Sequence, residues 1–140
     1  MKSTKIGYWA STGLLALGFA LGGFTDLARG PDMRAGFEHL GYPLYLLVLL
    51  GVWKVLGAVA IVAPRFPRLK EWAYAGMFFD LSGAFVSHAS VGDPAPKLIA
   101  PVVLLALLVA SWALRDESRK LESAEHEPRP ALAGRTATAS

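Results

Sequence analysis

Four long stretches of this chain are almost free of charge, and that property decides what it can fold into. They run from Ile6 to Phe24, Leu44 to Ala63, Trp72 to Ala89 and Leu98 to Leu114. A bilayer's hydrocarbon core is about 30 Å thick, so a spanning helix needs about 20 mostly apolar residues. None of the four alternates with a period of two, as a half-buried strand would. Inside lipid a lone segment can satisfy its backbone polar groups only as a helix. The expected fold class is all-α, an integral membrane four-helix bundle. Apolar residues make up 54% of the chain and charged residues 18%. A soluble domain carries about 25% charge, and a disordered one lacks this hydrophobicity. Breaks separate the spans: Gly30-Pro31-Asp32 and Gly41-Tyr42-Pro43 around a first loop, Pro64 to Pro67, and Gly92-Asp93-Pro94. Residues 1–115 therefore read as one four-span domain without internal repeats. Residues 116–140 read as a charged, disordered cytoplasmic tail.

Orientation follows from the basic residues in the flanks. Ten lie on one side: Lys2 and Lys5, then Arg65, Arg68 and Lys70, then Arg115, Arg119, Lys120, Arg129 and Arg135. Three lie on the other: Arg29, Arg34 and Lys97. Both termini are therefore expected in the cytoplasm. Tyr8, Trp9, Trp72, Tyr74 and Trp112 are expected at the cytoplasmic interface, and Tyr42 and Tyr45 at the outer one. The first apolar run exceeds a signal-peptide core and lacks a convincing cleavage site, so it is expected to be retained.

Two charged residues fall near span centres, where a charge costs about 2.5 to 3.5 kcal/mol on insertion scales. Lys54 lies ten residues before Pro64, and Asp80 ten residues after Lys70. At about 1.5 Å per residue, both sit about 15 Å from the turn between their helices. Equal depth on adjacent antiparallel helices predicts a Lys54–Asp80 pair, either a structural pin or an intramembrane ligand or proton site. Small residues flank both: Gly51, Gly57 and Ala58 around Lys54, and Gly76, Gly83 and Ala84 around Asp80. That favours an inward direction.

A second polar cluster is expected toward the outer face: Asp26, Glu38 and His88, with His39 nearby and solvated. His88 is expected to hydrogen-bond at the interface. One loop histidine and one span histidine make no ligand pair, so no metal or haem site is expected. Tyr8, Ser11, Leu15, Gly18, Gly22 and Asp26 share one face of the first span, expected to pack on the other helices, with self-association as the alternative. Trp53 is expected to pack at mid-membrane or to wall a pocket. The chain has no cysteine, which removes disulfides, thiolate metal sites and dithiol chemistry. No phosphate loop, dinucleotide fingerprint or hydrolase triad appears.

The runs Gly51-Val52-Trp53-Lys54-Val55-Leu56-Gly57-Ala58 and Leu69-Lys70-Glu71-Trp72-Ala73-Tyr74-Ala75-Gly76 resemble DoxX-like membrane proteins. The second run continues through Phe79-Asp80-Leu81 to Ser87-His88 and Gly92-Asp93. The resemblance covers about residues 5 to 115. It implies a small four-helix protein of the bacterial inner membrane and, by analogy alone, a quinone-linked redox setting; the cofactor itself stays unknown. It supplies no catalytic residues. Three functions remain open at this stage: a quinone-linked or redox-associated membrane subunit, a small-solute carrier or permeation protein, and an assembly partner without chemistry. Whether the chain is an enzyme stays open. The expected partners are the lipid bilayer, other membrane redox subunits or a second copy, and not nucleic acid.

Overall fold

The structure is a computed structural model, and it describes residues 2–117 and residue 120. The described part is helical: α1 (Lys2–Ala28), α2 (Pro31–His39), α3 (Tyr45–Val62), α4 (Pro67–Ser90) and α5 (Ala95–Ala113). Each expected span falls within, or within a residue of, one helix. The tail expected at 116–140 lies outside the described residues apart from Asp116, Glu117 and Lys120. Three helices, α1, α3 and α5, are long and apolar enough to cross a membrane. With 24 residues α4 has the length, but Asp80, Ser82, Ser87 and His88 dilute its apolar character.

The fifth helix is a departure from the expected loop. Pro31 begins α2 at a position where its missing N–H is not needed, and Asp32 sits in the first turn. The chain leaves through Leu40 and Gly41, whose φ of 78° glycine reaches at little cost.

Helix α1 packs along α3 and α5, and α4 packs along the same two, while α2 rests on α3. The core between them holds Leu15, Phe19, Ala58, Ile61, Tyr74, Met77, Leu81 and Leu108. The buried face of α1 is Tyr8, Ser11, Thr12, Leu15, Phe19, Gly23 and Asp26. Tyr8, Ser11, Leu15 and Asp26 match the expected face. Gly18 lies against Leu104 of α5 and Gly22 faces the Lys54 side chain of α3, also as expected of a face that packs on the other helices. The closest approach uses other glycines: a Cβ on Gly23 would stand 2.8 Å from the Gly51 carbonyl oxygen, and one on Gly51 2.9 Å from that of Gly23. Two missing side chains thus let α1 and α3 meet backbone to backbone.

The α3–α4 turn is held from inside. Arg65 and Phe66 both adopt left-handed backbone conformations, with φ of 65° and 55°. Such a pair is costly for non-glycine residues and needs support. Lys70 supplies it: its Nζ donates to the carbonyl oxygens of Ala60 and Ile61, both at 2.9 Å, and of Ala63. These are carbonyls left over at the end of α3, where a cation is favoured. Lys70 is fully buried, so this basic residue, counted above as a loop charge, is a helix cap. Tyr8 and Tyr74 are likewise buried among the helices, whereas Trp9, Trp72 and Trp112 are exposed.

Candidate functional site

The Gly23–Gly51 contact sets the geometry of the principal polar site. It brings the last turn of α1 against the middle of α3, so Asp26 and Lys54 meet. Lys54 Nζ donates to Asp26 Oδ2 at 2.8 Å, and Asp80 Oδ2 lies 4.0 Å from the same nitrogen. The expected Lys54–Asp80 proximity is therefore present, but Asp26 is the nearer partner. Asp26 does not join His88 and Glu38 in an outer cluster. The sequence held the signal: Asp26 continues the inward face of α1, and a face directed at the other helices carries its last residue inward as well. Two carboxyl groups thus share one ammonium. The Asp26 side chain is only 5% exposed, against 22% for Lys54 and 18% for Asp80. Asp26 is the sealed member of the tight pair, and Asp80 is the more accessible carboxyl.

Lys54 and Asp80 line a cavity of about 640 Å³ between α3 and α4, and Asp26 does not. Its other walls are apolar or aromatic, including Phe19, Trp53, Met77, Trp72 and Phe79. Trp53, Trp72 and Phe79 are exposed on the outside of the helices. The cavity is therefore a lateral cleft, reached through the sides of the helices. Gly57, Ala60, Ala73 and Gly76 line it between the helices, where small side chains leave the space open. A concave, mainly apolar cleft with a few convergent polar groups is the usual form of a small-molecule site.

A different carboxylate organises the end of the molecule where α2 and the α4–α5 turn lie. Asp93 Oδ2 takes a hydrogen bond from His88 Nδ1 at 2.6 Å, Oδ1 meets His39 Nε2 at 2.9 Å, and Lys97 Nζ lies 3.5 Å from Oδ1. The His88 hydrogen bond, helped by His39 and Lys97 and opposed by burial, holds the Asp93 carboxyl down at about 2. His39 is thus a tie between α2 and this turn, not merely a solvated residue. Glu38 is exposed on α2 and makes no side-chain hydrogen bond or ion pair among the described residues. Asp93 was legible only as part of a turn signal. Beside it, the Tyr42 hydroxyl meets Ser87 Oγ at 2.6 Å, and Ser87 donates onward to the Gly83 carbonyl. Among the described residues no group of three or more His, Cys, Asp or Glu is placed to hold a metal ion.

A further polar layer lies at the opposite end and was not anticipated. Ser111 Oγ sits 2.6 Å from Thr12 Oγ1 and 2.7 Å from the Tyr74 hydroxyl, joining α1, α4 and α5. Arg115 Nη2 donates to Glu71 Oε1 at 2.6 Å, and Trp112 Nε1 to Glu71 Oε2 at 3.2 Å. The Arg115 guanidinium lies over the rings of Tyr74 and Trp112, 5.0 and 5.6 Å from their centroids. Its Nη1 is buried and has no hydrogen-bond partner among the described residues, so the ring faces are its compensation. The signal here was weak, because isolated Ser and Thr residues in apolar helices usually bond back to their own backbone.

No curated protein and no solved structure matches the chain. The sequence pattern of the DoxX-like family matches residues 10–111, a stretch that contains Asp26, Lys54, Asp80, the cleft and the Asp93 tie. The chain, whose described residues are helical and include three helices long and apolar enough to cross a membrane, belongs to the DoxX-like family.

Proposed function

We propose that this protein is a four-span inner-membrane subunit with both termini in the cytoplasm, and that its α3–α4 cleft holds a quinone-type ring for a membrane redox complex. The observation that carries the reading is the cleft: about 640 Å³, apolar and aromatic, with Lys54 and Asp80 on its wall. A lipid-soluble ring with polar oxygens needs an apolar slot, a route in from the bilayer, and donors or acceptors for those oxygens. Trp53, Trp72 and Phe79 offer stacking surface at the mouth. Lys54 and Asp80 offer hydrogen bonds and a place for a proton. With no cysteine in the chain, electrons would pass to and from the ring through a partner subunit.

The permeation reading has less support. Leu15 and Phe19 on α1, Met77 on α4 and Leu108 on α5 fall between the Lys54 site and the Ser111 layer along their helices, and an apolar plug opposes a wet path for a polar solute. An assembly role without chemistry would leave the open carboxyl of Asp80 without a purpose.

The test is chemical. Protein purified in mild detergent from quinone-replete membranes should yield close to one quinone or quinol per chain on solvent extraction. Protein that carries none, and does not bind a short-chain quinone or its quinol when either is added back, overturns the reading. Reporter fusions at Ser140 and near Pro31 should report opposite sides of the membrane, and a periplasmic carboxyl terminus would overturn the topology.

A further inference from the structure

The spacing within the charged site says which redox form of such a ring fits it. Lys54 Nζ and Asp80 Oδ2 stand 4.0 Å apart. That is too long for a strong direct hydrogen bond, whose heavy atoms lie about 2.7 to 3.2 Å apart. It is the right gap for one oxygen placed between them. An oxygen about 2.8 Å from each atom would subtend an angle of about 90°, close to what a hydroxyl makes when it accepts one hydrogen bond and donates another. Lys54 can serve as the donor, because the bond to Asp26 uses one of its three N–H groups. Asp80 can serve as the acceptor, since its partner Lys54 is already drawn to Asp26.

Charge points the same way. With Asp80 ionised, one ammonium faces two carboxylates, Asp26 and Asp80, and the site is richer in acceptors than in donors. A quinone oxygen only accepts: placed in the gap, it meets Lys54 well and sets its lone pairs against those of Asp80. A quinol hydroxyl accepts from Lys54 and donates to Asp80, satisfying both. A site arranged to receive a hydroxyl proton disfavours the analogue that lacks it, because the acceptor then faces lone pairs instead of a donor.

We infer that the cleft prefers the reduced, hydroxyl-bearing form of its ring ligand, with one quinol hydroxyl oxygen bridging Lys54 and Asp80. The inference rests on the ring-binding reading above and sharpens it. The cleft then acts as a holding site for quinol, fitting a subunit that receives reduced ring from, or delivers it to, a redox partner.

The experiment measures binding of one short-chain benzoquinone and its hydroquinone to the full-length protein in detergent, by quenching of tryptophan fluorescence, which Trp53 and Trp72 at the cleft make sensitive. The reduced arm is run without oxygen in the presence of a chemical reductant. The hydroquinone should bind at least about tenfold more tightly than the quinone, as expected when a charge-assisted hydrogen bond replaces a repulsive contact. In Asp80→Asn the amide can donate as well as accept, so the preference should fall to less than about threefold. Equal binding of both forms, or tighter binding of the quinone, overturns the inference while leaving the ring-binding reading standing. An unchanged preference in Asp80→Asn overturns the bridging role of Asp80. If neither form binds, the ring-binding reading fails, and this inference with it.

Discussion

The two interior polar layers solve the same problem in different ways. At the end carrying the α3–α4 turn, Arg115 meets Glu71 one to one, and Thr12, Ser111 and Tyr74 share hydroxyl hydrogen bonds. Deeper in the molecule, one ammonium on Lys54 faces the carboxyl groups of Asp26 and Asp80, beside an open cleft. The first layer is balanced in charge, and its Ser, Thr, Tyr and Arg side chains are buried. The second is unbalanced and accessible. Balance and closure are what structural support requires, because buried polar groups are stable only when satisfied. A carboxyl in excess of its counter-charge, placed where a ligand can reach it, is what binding requires. The difference separates the residues that hold the helices from those we assign to a ligand.

The largest test of that division splits the charged site itself. If Lys54 and Asp26 form the tight pair, Lys54→Met alone leaves both carboxyl groups without a counter-charge and should cost about 3 to 5 kcal/mol, whereas Asp26→Leu leaves Lys54 beside Asp80 and should cost less. The double variant should recover much of the loss. The corresponding cycle with Asp80→Leu should give clearly weaker coupling, matching 4.0 Å against 2.8 Å. Thermal unfolding in detergent reads both cycles, and equal couplings would erase the distinction between a structural and an open carboxyl.

Next comes the contact that creates the site. Gly51→Ala places a Cβ 2.9 Å from the Gly23 carbonyl oxygen, and that backbone cannot yield as a flexible side chain would. Separating α1 from α3 should cost about 1 to 3 kcal/mol and weaken ligand binding as well, since Asp26 and Lys54 move apart. Gly36→Ala, on the exposed α2 with open space at its Cβ, is the control and should change little. A harmless Gly51→Ala would remove the glycine contact as the cause of the site.

A smaller effect is expected in the balanced layer. Tyr74→Phe removes one hydrogen bond while Ser111 keeps Thr12, so stability should fall by about 1 kcal/mol. Ring-ligand affinity should stay within about twofold, because Tyr74 does not line the cleft. A large loss of binding would show that the two layers are not separate.

The smallest effect concerns the Asp93 tie. Its carboxyl is held at about 2 against an ordinary 3.8, so it favours the folded state above the ordinary value. That contribution is lost as pH falls through about 2. Melting curves between pH 5 and pH 2 should therefore decline less steeply in Asp93→Asn than in the parent chain. Parallel declines would mean that the His39–Asp93–His88 tie adds nothing to stability.

What the sequence by itself determined is the set of long helices and the depth of the unusual charges. Charge-free runs of membrane length leave a helix as the only economical backbone, and constant rise per residue placed Lys54 and Asp80 level with one another before any contact was known. The inward face of α1 was also legible, since its small and polar residues recur at helical spacing. The partners were not. Whether Lys54 bonds to Asp26 or to Asp80 depends on how far α1 slides along α3, and that was decided by the mutual fit of Gly23 and Gly51; spacing favoured Gly51 on α3 but, on α1, Gly22 rather than its neighbour Gly23. The burial of Lys70, the Thr12–Ser111–Tyr74 layer and the His39–Asp93–His88 tie share this character. Each joins residues that are distant in the chain or meet across a turn, through side chains whose types alone suggest solvent, lipid interface or local backbone. Periodicity and composition act within one helix, so they fix which residues face inward and at what depth. Only the packing of one helix against another decides which of those residues touch.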